Sequence, residues 1–247
     1  MNRSKSSRTS RPRTDQREPA EREPRQPPAP GTITAIQGQV RDPDRVSLFI
    51  DGSFAIGLAR DVAEEAGLSI GMELDAARIA ELMGQEGFHR ATSMALNFLA
   101  YRPRSEGEIR QRLRRHGIKD DVIERVIERL RGWHYVDDAD FARRWIENRA
   151  THRPRGTRLL AQELRSKGIA PDLASEALEE AEVDEVADAL ALARQRLRQL
   201  SGLEPAVRER RLSGFLGRRG YGFDVIRQVL ATLREEAGND EDLDEPL

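Results

Sequence analysis

From residue 91 onward, hydrophobic positions recur in helical steps, and the same arrangement is written three times. "LRRHGI" (113–118), "LRSKGI" (164–169) and "LGRRGY" (216–221) align on Gly117, Gly168 and Gly220, at offsets of 51 and 52 residues. Four residues before each phrase's leucine stand Ile109, Leu160 and Leu212. After the glycines come Val122, Leu173 and Val225, then Ile123, Ala174 and Ile226, Val126, Ala177 and Val229, Ile127, Leu178 and Leu230, and finally Leu130, Ala181 and Leu233. Steps of one, four, five and eight place these residues on one helical face. Each copy thus predicts a short helix with an apolar pair, a stop at glycine, and a second helix with a wide apolar stripe.

The stops and starts have local causes. The residue after a helix's last turn commonly takes a left-handed conformation that glycine enters freely. Ser105 with Glu108 predicts a capping box, Asp120 or Asp121 a cap for the following helix, and Pro171 a first helical position. The period leaves room for a third helix per copy, with "ATSMALNFLAY", "DADFARRWIENRA" and "DEVADALALARQRLRQL" as the segments that fit. Helices this short are marginal alone. The expected fold is therefore mainly α: three tandem three-helix repeats, at 91–136, 137–182 and 183–234, stacked in an elongated array.

The pattern differs before residue 91. "TITAIQGQV", "RVSLFIDG" and "SFAIGLA" are short β-prone runs punctuated by Asp42-Pro43-Asp44 and by Asp51-Gly52. They predict a small antiparallel β segment with a two-residue hairpin at Asp51-Gly52. Short helices with a turn around Gly67 to Gly71 complete an extension over 31–90. Residues 1–30 are rich in Arg and Pro and have too few apolar side chains to offset the entropy of ordering, so they predict a disordered basic tail. Residues 235–247 predict an acidic disordered tail.

Composition narrows the chemistry. With no cysteine, disulfides, thiolate metal sites and a cysteine nucleophile are excluded. Neither a secretory signal nor a membrane span is evident, and a cytoplasmic monomer without a membrane partner is the expectation. The formal net charge of −2 conceals an uneven distribution. Residues 1–30 carry a surplus of four positive charges and residues 91–234 a surplus of six (28 basic against 22 acidic), whereas 235–247 holds seven acids and no base. A polyanionic partner responds to such local surplus.

The surplus gathers on the short helices. The first has Arg102, Arg104, Arg110, Arg112, Arg114 and Arg115; the second Arg153, Arg155, Arg158, Arg165 and Lys167; the third Arg208, Arg210, Arg211, Arg218 and Arg219. Part of this is structural: His116, Lys167 and Arg219 precede their glycines, where a cation offsets the helix dipole, and Glu106 and Glu108 can pair with Arg110 and Arg112. The remainder predicts a basic stripe, created by stacking, that contacts phosphate or an acidic partner. Arg104, Arg110, Arg114, Arg115, Arg155, Arg165, Lys167, Arg218 and Arg219 are its candidate residues.

Other motifs yield to plainer readings. His134, Asp137, Asp138 and Asp140 could be imagined as a metal site, but acids before a helix cap it, and Trp133 and Tyr135 are expected to fasten the loop between the first two repeats. "GFLGRRGYG" lacks the lysine and the preceding strand of a phosphate loop. Four scattered histidines assemble no nucleophile, base and oxyanion hole, so neither an enzyme nor a cofactor is expected.

The order R-x-R-S-x-x-E-[IL], L-x-x-x-G, Y-[VL]-D-D-x-x-F-A and R-R-G-[YF], carried by "YRPRSEGEIRQRLRRHG", "HYVDDADFARRW" and "LGRRGY", resembles the RecX family of bacterial recombinase regulators. The resemblance covers about Ala91 to Leu233; the β segment is similar to the N-terminal extension of some members, and both tails lie outside it. It implies a curved array of three-helix repeats that binds the RecA filament on single-stranded DNA along its groove. It further implies inhibition of strand exchange and ATP hydrolysis in recombination and the SOS response. The contact residues rest on the charge argument alone. The alternative left open is a nucleic-acid-binding helical repeat module that acts without RecA.

Overall fold

The computed structural model describes residues 27–243, in two units divided after Gly84. The expected tail over 1–30 falls largely outside the described residues.

The first unit is an antiparallel sheet of β1 (Gly31–Gln39), β2 (Asp42–Ile50), β3 (Ser53–Ala59) and β4 (Glu73–Leu74), in the order β3-β2-β1-β4. Asp51 (φ 48°) and Gly52 (φ 81°) make the predicted β2–β3 turn, both with positive φ as a type I′ turn requires. Two bonds hold it against β1: Thr32 N–H donates to Asp51 Oδ1 (3.1 Å) and Gly52 N–H to Thr34 Oγ1 (2.9 Å). The β1–β2 turn lies at residues 40–41, ahead of the expected Asp42-Pro43-Asp44. Proline is tolerated at Pro43 because the ladder is irregular there, the register jumping between Gly38↔Val46 and Gln39↔Asp42. Helix α1 (Arg60–Glu65) follows β3. Ile33, Leu48, Ile50 and Leu74 form the core with Ile79 and Leu82. These last two residues open α2 (Ala76–Leu99), a continuous helix that replaces the expected break near residue 90. Gly84 and Gly87 do not interrupt it.

The second unit runs from Gln85 and contains the three repeats. The first copy uses the later part of α2 with α3 (Glu106–Arg115) and α4 (Asp120–Gly132). The second is α5 (Asp138–His152), α6 (Thr157–Ser166) and α7 (Pro171–Glu180). The third is α8 (Glu185–Leu197), α9 (Pro205–Arg218) and α10 (Phe223–Leu243). Each copy buries its own core, and the phrase leucines Leu113, Leu164 and Leu216 are fully enclosed. All three glycines have positive φ: Gly117 74°, Gly168 83° and Gly220 92°.

Consecutive copies dock in a repeated way. At the first junction, Ser105 Oγ donates to the carbonyl of Lys167 (2.5 Å), and Asp138 Oδ1 accepts from Glu106 N–H (2.9 Å). At the second, Gly156 N–H donates to the carbonyl of Arg219 (3.0 Å), and Glu185 Oε1 accepts from Thr157 N–H (2.5 Å). Orphan N–H groups that begin α3 and α6 thus meet a carboxylate from the next copy's first helix, and an orphan carbonyl that ends α6 or α9 gains a donor. The approach is close enough to exclude side chains. A Cβ on Gly107 would lie 2.5 Å from Lys167 O and 2.7 Å from Gly168 Cα; one on Gly156 would lie 2.6 Å from Tyr221 N. Gly168 and Gly220 therefore serve both the stop and the docking, whereas around Gly117, which has no preceding repeat, there is nothing within 4 Å of the Cβ position.

Several local expectations are corrected. Ser105 does cap α3, accepting from Glu108 N–H (3.2 Å), but the Glu108 carboxylate turns to Arg102 and Lys167 and leaves the capping box half formed. Lys119, not Asp120 or Asp121, is the N-cap of α4; Asp120 pairs with Arg114. Trp133 and Tyr135 remain 47% and 58% exposed and pack edge-to-face on one another, so it is buried Val136 that anchors that loop. The acidic segment from Glu235 is helical as far as Leu243, continuing α10, and Glu236 pairs with Arg194.

Candidate nucleic-acid interface

The structure sorts the nine predicted cations by what they touch. Arg110 reaches Glu106 and Glu124 (both 2.7 Å), and Arg114 reaches Asp120 (2.7 Å). Lys167 crosses the first junction to Glu108 (2.7 Å), and Arg155 meets Glu163, which also accepts from Arg149 (2.8 Å) and the Trp145 indole (2.9 Å). Arg104 lies 3.8 Å over the Phe98 ring. Arg219 stacks 4.9 Å from the Phe215 ring and donates to the Pro154 carbonyl (3.3 Å). Lys167 and Arg219 fasten neighbouring copies together, and the other four are engaged within their own copy, roles the charge count alone did not distinguish from binding.

The titration behaviour of two carboxylate partners, Glu106 and Glu108, agrees. Burial would raise the carboxyls of Glu106 and Glu108, but hydrogen bonds from Arg131 and Arg110 to the first, and from Arg102 and Lys167 to the second, hold both below the usual range. Asp138 moves upward, because burial and the neighbouring Glu106 charge outweigh its bond from the Glu106 N–H. Burial, then the neighbouring Arg102, lowers Arg104; burial, then Arg149, Arg153 and Arg219, lowers Arg155.

The remaining three, Arg115, Arg165 and Arg218, are exposed and, among the described residues, make no ion pair, hydrogen bond or ring contact. Two of them come together. Between α6 and α9 lies an open cleft of about 800 Å³, lined by Arg158, Arg165 and Arg218 with Gln162, Ser166, Leu159, Gly217 and Gly220. Arg158, a base of the second short helix outside the candidate set, is equally exposed and unpaired among the described residues. The signal that could have found it is its seven-residue spacing from Arg165, two turns along one helical face.

The acids near His134 have local uses. Asp137 caps α5, accepting from the N–H groups of Ala139 and Asp140 (both 2.9 Å), and Asp140 pairs with Arg144 (2.8 Å). Among the described residues no group of three or more His, Asp and Glu side chains could hold a metal ion, and no helix is long and apolar enough to cross a membrane.

Comparison with known proteins matches this architecture copy by copy. Family models for the first, second and third RecX three-helix domains match residues 91–130, 137–178 and 182–230, and the RecX N-terminal domain matches 31–75. Regulatory protein RecX of Bacillus licheniformis is 31% identical over 199 residues, covering 80% of this chain and 76% of that one. The protein of the same name from Prosthecochloris aestuarii is 37% identical over 151 residues, 61% of this chain and 98% of that one. A crystal structure of regulatory protein RecX superposes with a TM-score of 0.66 at 26% identity, over 80% of this chain and 98% of that one. With the β extension and all three helical repeats matched in order, the chain belongs to the RecX family of regulatory proteins.

Proposed function

We propose that the protein is a negative modulator of RecA, binding the RecA filament on single-stranded DNA and inhibiting strand exchange and the coupled ATP hydrolysis in recombination and the SOS response. It works by binding and not by catalysis, and it acts in the cytoplasm as a monomer. The observation that carries this reading is the family membership, extending through all three repeats and the N-terminal domain. Exposed arginines on the short helices support it, because a filament on DNA presents a polyanion. Arg115, Arg165 and Arg218 are the predicted contact residues that retain free charge; Arg104, Arg110, Arg114, Arg155, Lys167 and Arg219 act by holding the repeats that present them.

The test is to add the full chain to RecA assembled on single-stranded DNA and to follow ATP hydrolysis and strand exchange. Both are expected to fall as the protein approaches stoichiometry with RecA, and unchanged turnover at equimolar protein refutes the proposal. A second reading, a nucleic-acid-binding module independent of RecA, is favoured by the unpaired arginines of the α6–α9 cleft. Under that reading bare DNA binds tightly and RecA adds nothing.

A further inference from the structure

We infer that the cleft between α6 and α9 is a phosphate-binding groove that seats the backbone of a nucleic-acid strand. The inference deepens the RecA reading, placing direct DNA contact at the junction of the second and third repeats instead of along all three.

The charge distribution carries the argument. Three guanidiniums, those of Arg158, Arg165 and Arg218, line the cleft, and no carboxylate does. Gathering like charges around one opening is unfavourable without an anion between them. Helix dipoles account for only part of it. Arg165 and Arg218 lie in the last turns of α6 and α9, where a cation is favoured, but Arg158 lies in the first turn of α6, where it is disfavoured. Among the described residues Arg158 has no ion pair to compensate.

The first repeat lacks this arrangement. In the repeat alignment, Gly107 stands where Arg158 does and Glu108 where Leu159 does, and the Glu108 carboxylate consumes Arg102 and Lys167. Arg114, which aligns with Arg165, is taken by Asp120. The scaffold repeats, but the unneutralised cleft does not follow from the repeat.

Its chemistry favours phosphate over an acidic peptide. Gln162 and Ser166 add neutral hydrogen-bonding groups, and Leu159 is the one large apolar side chain in the lining, so there is little to receive a peptide's hydrophobic residues. Guanidinium forks match phosphate oxygens well. Arg158 and Arg165, seven residues apart, are separated by about 10 Å along the helix, a length that covers about three phosphates on one strand at B-form spacing. No aromatic side chain lines the cleft to stack a base, so binding is expected to be indifferent to sequence.

The experiment measures binding of a fluorescent single-stranded oligonucleotide to the full chain between 50 and 200 mM salt, by anisotropy. Three proteins are compared: wild type, a cleft triple (R158Q, R165Q, R218Q) and a control triple of equal charge loss on α9 (R208Q, R210Q, R211Q). Three lost phosphate contacts on a single strand flatten the log–log salt slope by about 2, so the cleft triple should lose about fifteen- to twenty-fold less affinity than wild type across that range. At 50 mM salt it should bind at least about tenfold more weakly than wild type. The control is expected to keep most of the wild-type slope, and circular dichroism should give all three the same melting profile. A lysine triple at the cleft positions retains charge and should restore the slope, which guards against a folding artefact. An unchanged slope in the cleft triple, or an equal loss in the control, overturns the inference. So does a cleft triple that binds DNA normally but no longer binds RecA in the absence of DNA, which would make the groove a seat for an acidic protein surface. If the wild type leaves RecA turnover unchanged while the cleft triple shows the flattened slope, the regulator reading falls and the groove stands.

Discussion

Alanine substitution at Gly117, Gly168 and Gly220 poses one chemical question in three settings. All three residues are left-handed, so each alanine incurs the steric penalty of that conformation, about 1–2 kcal/mol. At Gly117 that is the whole expected cost, since the Cβ position is open. At Gly168 a Cβ would stand 2.7 Å from Gly107 Cα and 3.5 Å from Gly107 N, against backbone that cannot swing aside. At Gly220 it would stand 2.9 Å from Leu159 N and 3.2 Å from Leu159 Cα, and closer still to Leu159 Cβ. Overpacking of this kind costs about 1–3 kcal/mol. If the junction opens to relieve it, the bond from Gly156 N–H to Arg219 O is lost as well, a further ~1 kcal/mol. The expected order of destabilisation is Gly117→Ala smallest, Gly168→Ala intermediate at about 2–5 kcal/mol, and Gly220→Ala largest at about 3–6 kcal/mol. Equilibrium urea unfolding, followed by circular dichroism and tryptophan fluorescence, measures it. Equal destabilisation at Gly117 and Gly220 would refute the view that close backbone approach couples the copies.

Gly132, at the end of α4, has ordinary helical φ and open space around its Cβ position, so Gly132→Ala should raise stability by about 0.5–1 kcal/mol in the same assay. Leu164→Ala removes a fully enclosed side chain from the second copy's core and should cost about 2–5 kcal/mol in calorimetry or urea unfolding. Glu106 and Glu108 have depressed carboxyls in the folded state, so their contribution is present above the unfolded value of about 4.3 and is lost as pH falls through the folded ones. Asp138, shifted upward, works with the opposite sign, gaining stability as pH falls through its raised folded value. Urea midpoints measured from pH 6 down to pH 3 should therefore fall, and a Glu106→Gln, Glu108→Gln double variant should fall less steeply over that range while starting from a lower midpoint.

Much of the helical scaffold was legible because its causes are local. Apolar steps of four and five marked the buried faces, three glycines marked the stops, and Asp51-Gly52 marked its hairpin, each acting over a few residues of chain. The failures were also instructive in those terms. Helix α4 begins one residue earlier than a cap at Asp120 would require, with Lys119 as its cap and Asp120 paired to Arg114, and Glu108 left its capping box for a lysine 59 residues away.

The sequence by itself determined the repeat, its helices, its stops and the local surplus of positive charge, since periodicity and composition are properties of the chain. Tertiary structure alone decided which charges remained available. Six of the nine predicted cations were drawn into carboxylates, aromatic rings and carbonyls by packing, while Arg158, exposed and without a partner among the described residues, came to share a cleft with Arg165 and Arg218. An ion pair or a cleft requires two segments to meet, and how the copies meet is set by backbone contacts at Gly107, Gly156, Gly168 and Gly220, which no pattern of hydrophobic and polar positions encodes.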